Sequence, residues 1–342
     1  MVNLPSRNVI IILAILVLVL SLVPLGGEKY WTKLVTRMMV LGIFAMSLDL
    51  LVGYTGLVSF GHAAFFGLSG YILHLISPDD EAANLLWVLP LCLGGTALVA
   101  AIIGGLSVRT KGIYFIMVTL AFAQMLFYFF HDSDLAGGSD GAFIYIKPVL
   151  NIGSWELLDL GDRNVLFYTC MVSMVAIYVT LVIMLRSPFG KAIQGIKINE
   201  HRMQALGYNT YIYKLVSFVI AGTIAGFAGF MFASIDGFVS PELLGWQESG
   251  IALVIVILGG MGTLFGSILG AIALLGVEEL FRDKDLFEFM SSYWPLLSRY
   301  WETLSSHWQI LMGVFVISVV LFFKNGLAGV FLRLAGSREG ER

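Results

Sequence analysis

Nine long apolar runs, separated by short polar loops, follow one another along the chain. A membrane-spanning helix needs about 20 mostly apolar residues, and most of the runs are close to that length. Gly250–Leu280 is too long for one span and is interrupted by Gly259-Gly260-Met261-Gly262, which favours two shortened helices. The pattern therefore predicts about ten transmembrane helices. The runs are Val9–Val23, Leu34–Val52, Leu57–Ile76, Leu85–Val108, Ile113–Phe130, Val165–Leu185, Leu215–Ile235, Gly250–Leu280 and Trp308–Phe323.

The first run, Val9–Val23, allows two interpretations. A signal peptide is one of them, but a single basic residue precedes the run and no A-x-A cleavage pattern follows it. We therefore interpret the run as a retained span.

The charged residues of the loops predict the orientation of the spans, because loops that stay in the cytoplasm are enriched in Lys and Arg. With the N-terminus inside, the inner parts hold 12 basic and 3 acidic residues, and the outer parts hold 8 basic and 19 acidic residues. This division requires Gly250–Leu280 to cross the membrane twice. Both termini are therefore predicted to be cytoplasmic. The basic positions of the inner loops are Arg109, Lys111, Arg186, Lys191, Lys197, Arg202 and Lys214.

The composition excludes a soluble protein. Apolar residues make up 58% of the 342 residues, charged residues make up 13%, and the mean hydropathy is +0.89. Soluble proteins have about 45–50% apolar and about 25% charged residues. We predict an all-α polytopic membrane protein in which residues 1–342 form a single transmembrane domain. Cys92 and Cys170 lie within apolar runs and are interpreted as small buried hydrophobic residues.

Two glycine-rich segments resemble each other, Gly53-Tyr-Thr-Gly56 through Gly67 and Gly259-Gly-Met-Gly262 through Gly270. Each predicts a tight cytoplasm-side turn followed by a helix of small residues, and discontinuous helices of this kind line cavities in transporters. Because the segments occupy corresponding places in the two halves of the chain, we interpret them as an internal repeat. Two unrelated packing motifs are the alternative. Glycine-broken or re-entrant segments are therefore expected in the fold.

Few polar residues lie inside the predicted spans. An ionisable group at membrane depth is a functional candidate by default. Asp49 is such a group, and its alternative is a protonated or hydrogen-bonded structural aspartate that ties two helices together. His62 is interpreted as making a structural hydrogen bond to backbone, while Gln124 and Thr119 face either a neighbouring helix or the pathway. The translocation-pathway candidates are Asp49, His62, Thr119, Gln124, Gly259 and Gly260.

Residues 186–212 form the longest inner loop. The loop predicts a short, basic, amphipathic helix that ends at Gly207. Such a helix lies on the membrane surface or inserts into a groove of a partner protein.

Six separated motifs, between Leu34 and Leu332, carry a more specific signal. They are Val52-Gly-Tyr-Thr-Gly56 with Ser59 to Gly67, Lys111 to Gln124, Gly137-Gly-Ser-Asp-Gly141, the inner loop from Arg186 to Asn209, Leu258-Gly-Gly-Met-Gly-Thr263, and Asn325-Gly-Leu-Ala-Gly329. In this order they resemble the permease subunit of branched-chain amino acid ABC importers, and within that family the M-type. One departure is Asp49, where family members usually have Asn.

The resemblance implies a permease subunit of an ATP-driven importer for branched-chain or related neutral amino acids, working by alternating access in the bacterial cytoplasmic membrane. It implies as partners a second homologous permease subunit, two cytoplasmic ATPases and an extracytoplasmic binding protein. Contact with membrane lipid is expected, and contact with nucleic acid is not. ATP and Mg would be held by the ATPases, so no cofactor, metal or catalytic residue is predicted for this chain.

The resemblance also assigns the inner loop to ATPase coupling. The coupling candidates are Gly190, Lys191, Ile196, Asn199, Glu200, Ala205, Leu206 and Gly207. The outer segment 281–307 is aromatic and predicts an interfacial amphipathic helix. A cap on the pathway or a contact with the binding protein is its alternative.

Two other functions stay open at this point. A urea or short-chain amide ABC permease shares most of the motifs. An ion-coupled secondary transporter belongs to a different class and needs an ion site of its own, for which the spans offer only Asp49.

Overall fold

The computed structural model describes residues 7–78, 80–152, 155–282, 307–323 and 325–334. The chain is mostly helical. This is expected because lipid offers no hydrogen-bond partners, so the backbone N–H and C=O groups must bond to one another. The described residues form thirteen α-helices. These are α1 (Arg7–Ser21), α2 (Lys29–Asp49), α3 (Ala63–Ile76), α4 (Leu85–Ser107), α5 (Ile113–Asp132), α6 (Arg163–Arg186), α7 (Pro188–Ile198), α8 (Glu200–Ala205), α9 (Thr210–Asp236), α10 (Trp246–Gly259), α11 (Leu264–Arg282), α12 (Trp308–Phe322) and α13 (Gly326–Leu334).

Six of the described helices are long and apolar enough to cross a membrane. They are α2 with its π-helical extension to Thr55, α4, α5, α6, α9 and α11. Trp308–Phe322 and Gly326–Leu332 meet at 54° and give a seventh if the pair counts as one span. The multi-pass helical prediction is therefore confirmed, and Gly250–Leu280 does divide into two helices. The count of about ten spans stays a prediction, because α3, α10 and Ala14–Gly26 are apolar but shorter.

Helix α2 lies at the centre of the molecule and packs against α6, α9, α10 and α11. Its side chains are buried on every face from Met38 through the π-helical turn Leu50–Thr55, with Leu41 as the partly exposed exception. A helix that is apolar all round is buried in this way, because no face needs contact with water.

A line of glycines on α9 brings three helices into close contact. A Cβ at Gly226 would lie 2.6 Å from Thr96 Oγ1 of α4, and a Cβ at Gly229 would overlap the carbonyl oxygen of Phe66 in α3. Small residues are the usual means of close helix packing in membranes, where lipid removes the hydrophobic driving force between helices.

The helix ends define two faces of the molecule. Lys111 Nζ lies 2.9 Å from Glu200 Oε2, so the α4–α5 turn and the α7–α8 loop share one face. We call this face, with residues 108–112 and 187–209, the basic end. The opposite face carries the described residues of the loops 77–84, 133–162 and 237–240, which are joined by the β1–β4 pair and by a bridge between Asn84 and Val149. We call it the acidic end.

Short strands occur in the loops of the acidic end, where the all-α prediction contained none. β1 (Ala142–Phe143) pairs with β4 (Phe238–Val239), and β2 (Val149–Ile152) pairs with β3 (Trp155–Asp159); both pairs are antiparallel. Strands of two to five residues are too short to produce a recognisable alternation of apolar and polar positions. Of the predicted outer segment 281–307, residues 283–306 lie outside the described residues.

Helices α3 and α10 each start inside the molecule. Phe65 in the first turn of α3 packs beside Gly222, near the middle of α9, and Leu244, just before α10, lies against Gly67 of α3. From this level α3 runs toward the acidic end and α10 toward the basic end. Both therefore cover only part of the membrane depth. Irregular residues 56–62 lead to α3, and a segment that ends in the 3-10 turn Pro241–Leu244 leads to α10.

Candidate functional site

The predicted coupling loop folds as two capped helices, α7 and α8, instead of the single helix expected. Ser187 Oγ accepts a hydrogen bond from Gly190 N at 3.4 Å, and Asn199 Oδ1 accepts one from Arg202 N at 3.0 Å. Ser and Asn are favoured N-cap residues because their side chains bond the free N–H groups of the first turn. Asn199 is extended, with φ −156° and ψ 99°, and separates the two helices. Gly207 closes the second helix with φ +89°.

The coupling candidates divide into an outward and an inward group. Gly190 and Ile196 are buried, and Gly190 packs against the backbone of Leu185 at the end of α6. The exposed candidates are Lys191, Asn199, Ala205, Leu206 and Gly207. Ile198 joins the outward group with 84% exposure, and Leu206 is 65% exposed. Ile198 was not predicted from the sequence, although its place in the loop between basic residues offered a signal.

Glu200 faces the rest of the protein. Its carboxylate lies 2.8 Å from Lys214 Nζ and 2.9 Å from Lys111 Nζ, and it accepts a hydrogen bond from Thr210 Oγ1 at 3.1 Å. Burial raises the pKa of Glu200, but the hydrogen bonds and charges of the two lysines outweigh it and lower that pKa to about 2. Glu200 is therefore ionised at neutral pH and fastens α8 to the first turn of α9 and to the α4–α5 turn.

Beneath α7, the π-helical turn at Gly53 and the turn at Gly262 meet beside Asp49. We call these three residues the glycine junction. Gly262 N donates a hydrogen bond of 2.7 Å to Asp49 Oδ1. A Cβ at Gly53 would lie 2.6 Å from Gly262 N, so only glycine lets the two turns approach this closely. The Asp49 side chain is fully buried, and its Oδ2 has no hydrogen-bond partner among the described residues.

Lys197 connects the coupling loop to this junction. Its Nζ donates a hydrogen bond to the carbonyl oxygen of Gly53. Gly260, with φ +112°, and Gly259 belong to the same turn as Gly262 and stand against the chain at Asn325 and Gly326. Three interruptions of helical structure therefore lie close together, and Lys197 of α7 contacts the one at Gly53.

A second group of candidates lies deeper, where α3 and α10 begin. Ala63 N, at the start of α3, donates a hydrogen bond of 2.8 Å to Ser249 Oγ of α10. His62 is fully buried and its Nε2 lies 2.7 Å from Ser47 Oγ, so its hydrogen bond goes to a hydroxyl and not to backbone as expected. A Cβ at Gly61 would overlap the carbonyl oxygen of Thr119.

The structure therefore places five of the six pathway candidates in two groups, with Gln124 apart from both. Asp49, Gly259 and Gly260 belong to the region of the glycine junction, and His62 and Thr119 to the start of α3. Gln124 is half-buried further along α5 and makes no hydrogen bond within the described ranges. Ser47 and Ser249, which bind the start of α3, carried no signal in the sequence. No three His, Cys, Asp or Glu side chains of the described residues are placed to hold a metal ion.

Comparison with known proteins identifies the family. Residues 30–323 match the family described as branched-chain amino acid transport system / permease component. This chain belongs to that family. The matched residues include the glycine junction, the start of α3 and the α7–α8 loop. The chain is therefore a permease component with several helices that are apolar enough to cross a membrane.

Individual relatives agree with this assignment. The high-affinity branched-chain amino acid transport system permease protein LivM of Escherichia coli K12 is 30% identical, over 83% of this permease and 71% of its own length. LivM of Salmonella typhimurium LT2 is 29% identical over the same shares. The autoinducer 2 import system permease protein LsrC of Photorhabdus laumondii is 32% identical over 28% of the chain and 31% of its own length. No solved structure gives a significant match.

Proposed function

We propose that this permease is one of two homologous membrane subunits of an ATP-driven importer for branched-chain or related neutral amino acids in the bacterial cytoplasmic membrane. Two cytoplasmic ATPases and an extracytoplasmic binding protein complete the assembly. The observation that carries the proposal is the LivM similarity over 83% of the chain, because LsrC, which serves a different substrate, matches over only 28%. A urea or short-chain amide permease is the alternative within the class.

The α7–α8 loop is the proposed contact with the ATPase. Ile198 and Leu206 are exposed although they lie between two membrane helices, on a loop rich in Lys and Arg. A short amphipathic helix can insert its apolar side chains into a groove on a partner. We assign Ile198 and Leu206 as the apolar contacts and Glu200 as the group that holds α8 in place.

The glycine junction is the proposed route from the ATPase into the membrane. A displacement of α7 pulls on the Gly53 carbonyl through Lys197, and Asp49 passes the displacement to the turn between α10 and α11 through Gly262. This assigns Asp49, Gly259 and Gly260 to coupling between α7 and the moving helices. Asp49 then has a structural role and serves no ion gradient.

The substrate pathway is proposed to pass the starts of α3 and α10. Half-length helices that begin at membrane depth direct their positive N-terminal ends at anionic substrate groups in several transporters. The carboxylate of an amino acid is such a group. His62, Thr119 and Gln124 lie on the elements that border this place, and α10 links it directly to the glycine junction.

Transport in proteoliposomes tests the proposal. The chain reconstituted with its partner permease, ATPases and binding protein is expected to accumulate branched-chain amino acid only with ATP. Accumulation by the chain alone on an ion gradient would overturn the importer assignment in favour of a secondary transporter. Urea accumulation without leucine accumulation would favour the amide permease.

Co-purification tests the proposed ATPase contact. Ile198→Asp combined with Leu206→Asp is expected to abolish co-purification of the ATPases, because charged side chains cannot enter an apolar groove without a large desolvation cost. Leu135→Asp is the matched control, since Leu135 is 64% exposed at the acidic end. Equal amounts of ATPase with both variants would contradict the contact.

A further inference from the structure

A basic cavity lies at the acidic end, between the first turns of α2 and the start of α6. Its volume is about 430 Å³. Four basic side chains, from Lys29, Lys33, Lys147 and Arg163, line it together with Thr36. On the predicted topology the outer parts of the chain hold only 8 basic residues against 19 acidic ones, so half of the outer cations meet in one cavity.

The positive charge of this cavity is poorly compensated. Among the described residues, Lys29, Lys147 and Arg163 form no ion pair, and Lys33 shares the carboxylate of Asp236 with Arg37, at 3.0 and 2.6 Å.

The nearby acids are already engaged with backbone. Asp159 Oδ1 accepts a hydrogen bond from Gly161 N at 2.6 Å, and Asp162 caps α6 through Asn164 N at 2.7 Å. Lys147 is half-buried, and its burial and the charges of Lys33 and Arg163 lower its pKa. The charges of Asp236 and Asp159 offset this lowering only in part. An anion in the cavity relieves this repulsion.

The position of the cavity indicates where the anion comes from. Tyr30 and Trp31, beside it on α2, are 54% and 51% exposed. Exposed Tyr and Trp on a membrane helix mark the level of the lipid headgroups. The phosphate of a phospholipid lies at that level, and its acyl chains extend along the apolar outer surfaces of the helices.

We infer that this cavity binds the phosphate of an anionic phospholipid headgroup in the outer leaflet. Lys29, Lys147 and Arg163 contact the phosphate, and Lys33 contributes charge while keeping its pair with Asp236. The lipid then holds the outer ends of α2 and α6 together, at the opposite end of the molecule from the ATPase contact. The inference is independent of the transported substrate.

Lipid titration of the purified full-length chain tests this site. We expect phosphatidylglycerol to bind and to raise the unfolding temperature, and phosphatidylcholine of the same chain length to do neither. Glycerol 3-phosphate, which has the headgroup anion without acyl chains, is expected to bind much more weakly. Equal effects of phosphatidylglycerol and phosphatidylcholine would overturn the site. An equal effect of glycerol 3-phosphate would overturn the lipid as the source and leave a site for a soluble anion.

Variants locate the binding. Lys147→Gln combined with Arg163→Gln should weaken phosphatidylglycerol binding by about thirtyfold, since each basic residue near an anionic lipid contributes about fivefold. Arg109→Gln, which removes an exposed cation from the basic end, should leave binding unchanged. Wild-type affinity of the double variant contradicts the inference. If the double variant does not fold, Lys29→Gln at the exposed first residue of α2 should still show about a fivefold loss.

Discussion

At the residue scale, Asp49 shows how a buried carboxylate is accommodated inside a membrane protein. One oxygen accepts a backbone hydrogen bond from Gly262, and the Lys197 ammonium reaches the neighbouring Gly53 carbonyl. Burying an isolated charge costs much free energy. The hydrogen bond from Gly262 N and the nearby Lys197 ammonium offset part of this cost. The interaction geometry uses only one acceptor oxygen, which an amide also provides.

Substitutions at Asp49 separate this structural role from an ionic one. Asp49→Asn keeps the acceptor for Gly262 N and should retain transport close to the wild-type rate. Asp49→Leu leaves a buried N–H without a partner, at a cost of about 1–3 kcal/mol, and should lose both transport and thermal stability. Initial rates of leucine uptake with matched expression are the measurement. Complete loss of transport in Asp49→Asn would show that the charge itself is required.

Glu200 gives a prediction with a defined pH range. Its pKa is lowered from about 4.5 to about 2, so its stabilising contribution is fully present above pH 4.5 and is lost as the pH falls toward 2. Glu200→Gln should loosen α8 by about 1–3 kcal/mol at neutral pH, because Lys214, which is 9% exposed, loses its counter-ion. Hydrogen exchange of the α8 amides measures this. Wild-type protection in Glu200→Gln would remove the fastening role.

At the element scale, hydropathy predicted where helices lie but not how far each one extends. Leu57–Ile76 is a continuous apolar run of span length, yet only residues 63–76 are helical. Gly61 has to reach the backbone of Thr119, a contact between distant parts of the chain that no local pattern reveals. For the same reason the sequence did not reveal that the Glu200 side chain points toward the rest of the protein, since its partner Lys111 lies in a different loop.

The glycines of α9 give a test at the same scale. Gly229→Ala places a methyl group on the carbonyl of Phe66 and should destabilise the protein by about 1–3 kcal/mol or more, with a matching fall in folded yield. Gly94→Ala in α4 is the control, because no atom lies within 4 Å of its added Cβ and alanine favours helix. Thermal unfolding, monitored by size-exclusion chromatography of the heated protein, compares the two variants. A Gly229→Ala protein as stable as Gly94→Ala would contradict the packing described for α3 and α9.

At the scale of the whole molecule, the predicted topology makes the formal net charge of −3 a near-cancellation of two oppositely charged ends. The charge pattern predicted which loops share an end, and the contacts of Lys111 with Glu200 and of β1 with β4 place those loops together. Which of the two ends faces the cytoplasm is predicted by the positive-inside rule alone. The ATPase contact and the lipid site depend on that relation in opposite ways, one requiring the cytoplasm and the other the outer leaflet.

Cysteine accessibility decides this orientation. The native Cys92 and Cys170 are both buried, so a single introduced cysteine gives the labelling signal. Asp80→Cys, exposed at the acidic end, should react with a membrane-impermeant maleimide in intact cells. Lys191→Cys, exposed on α7, should react only after the cytoplasmic membrane is permeabilised. The reverse pattern would place α7 and α8 outside, where no ATP is available, and would remove the coupling assignment and the outer-leaflet lipid site together.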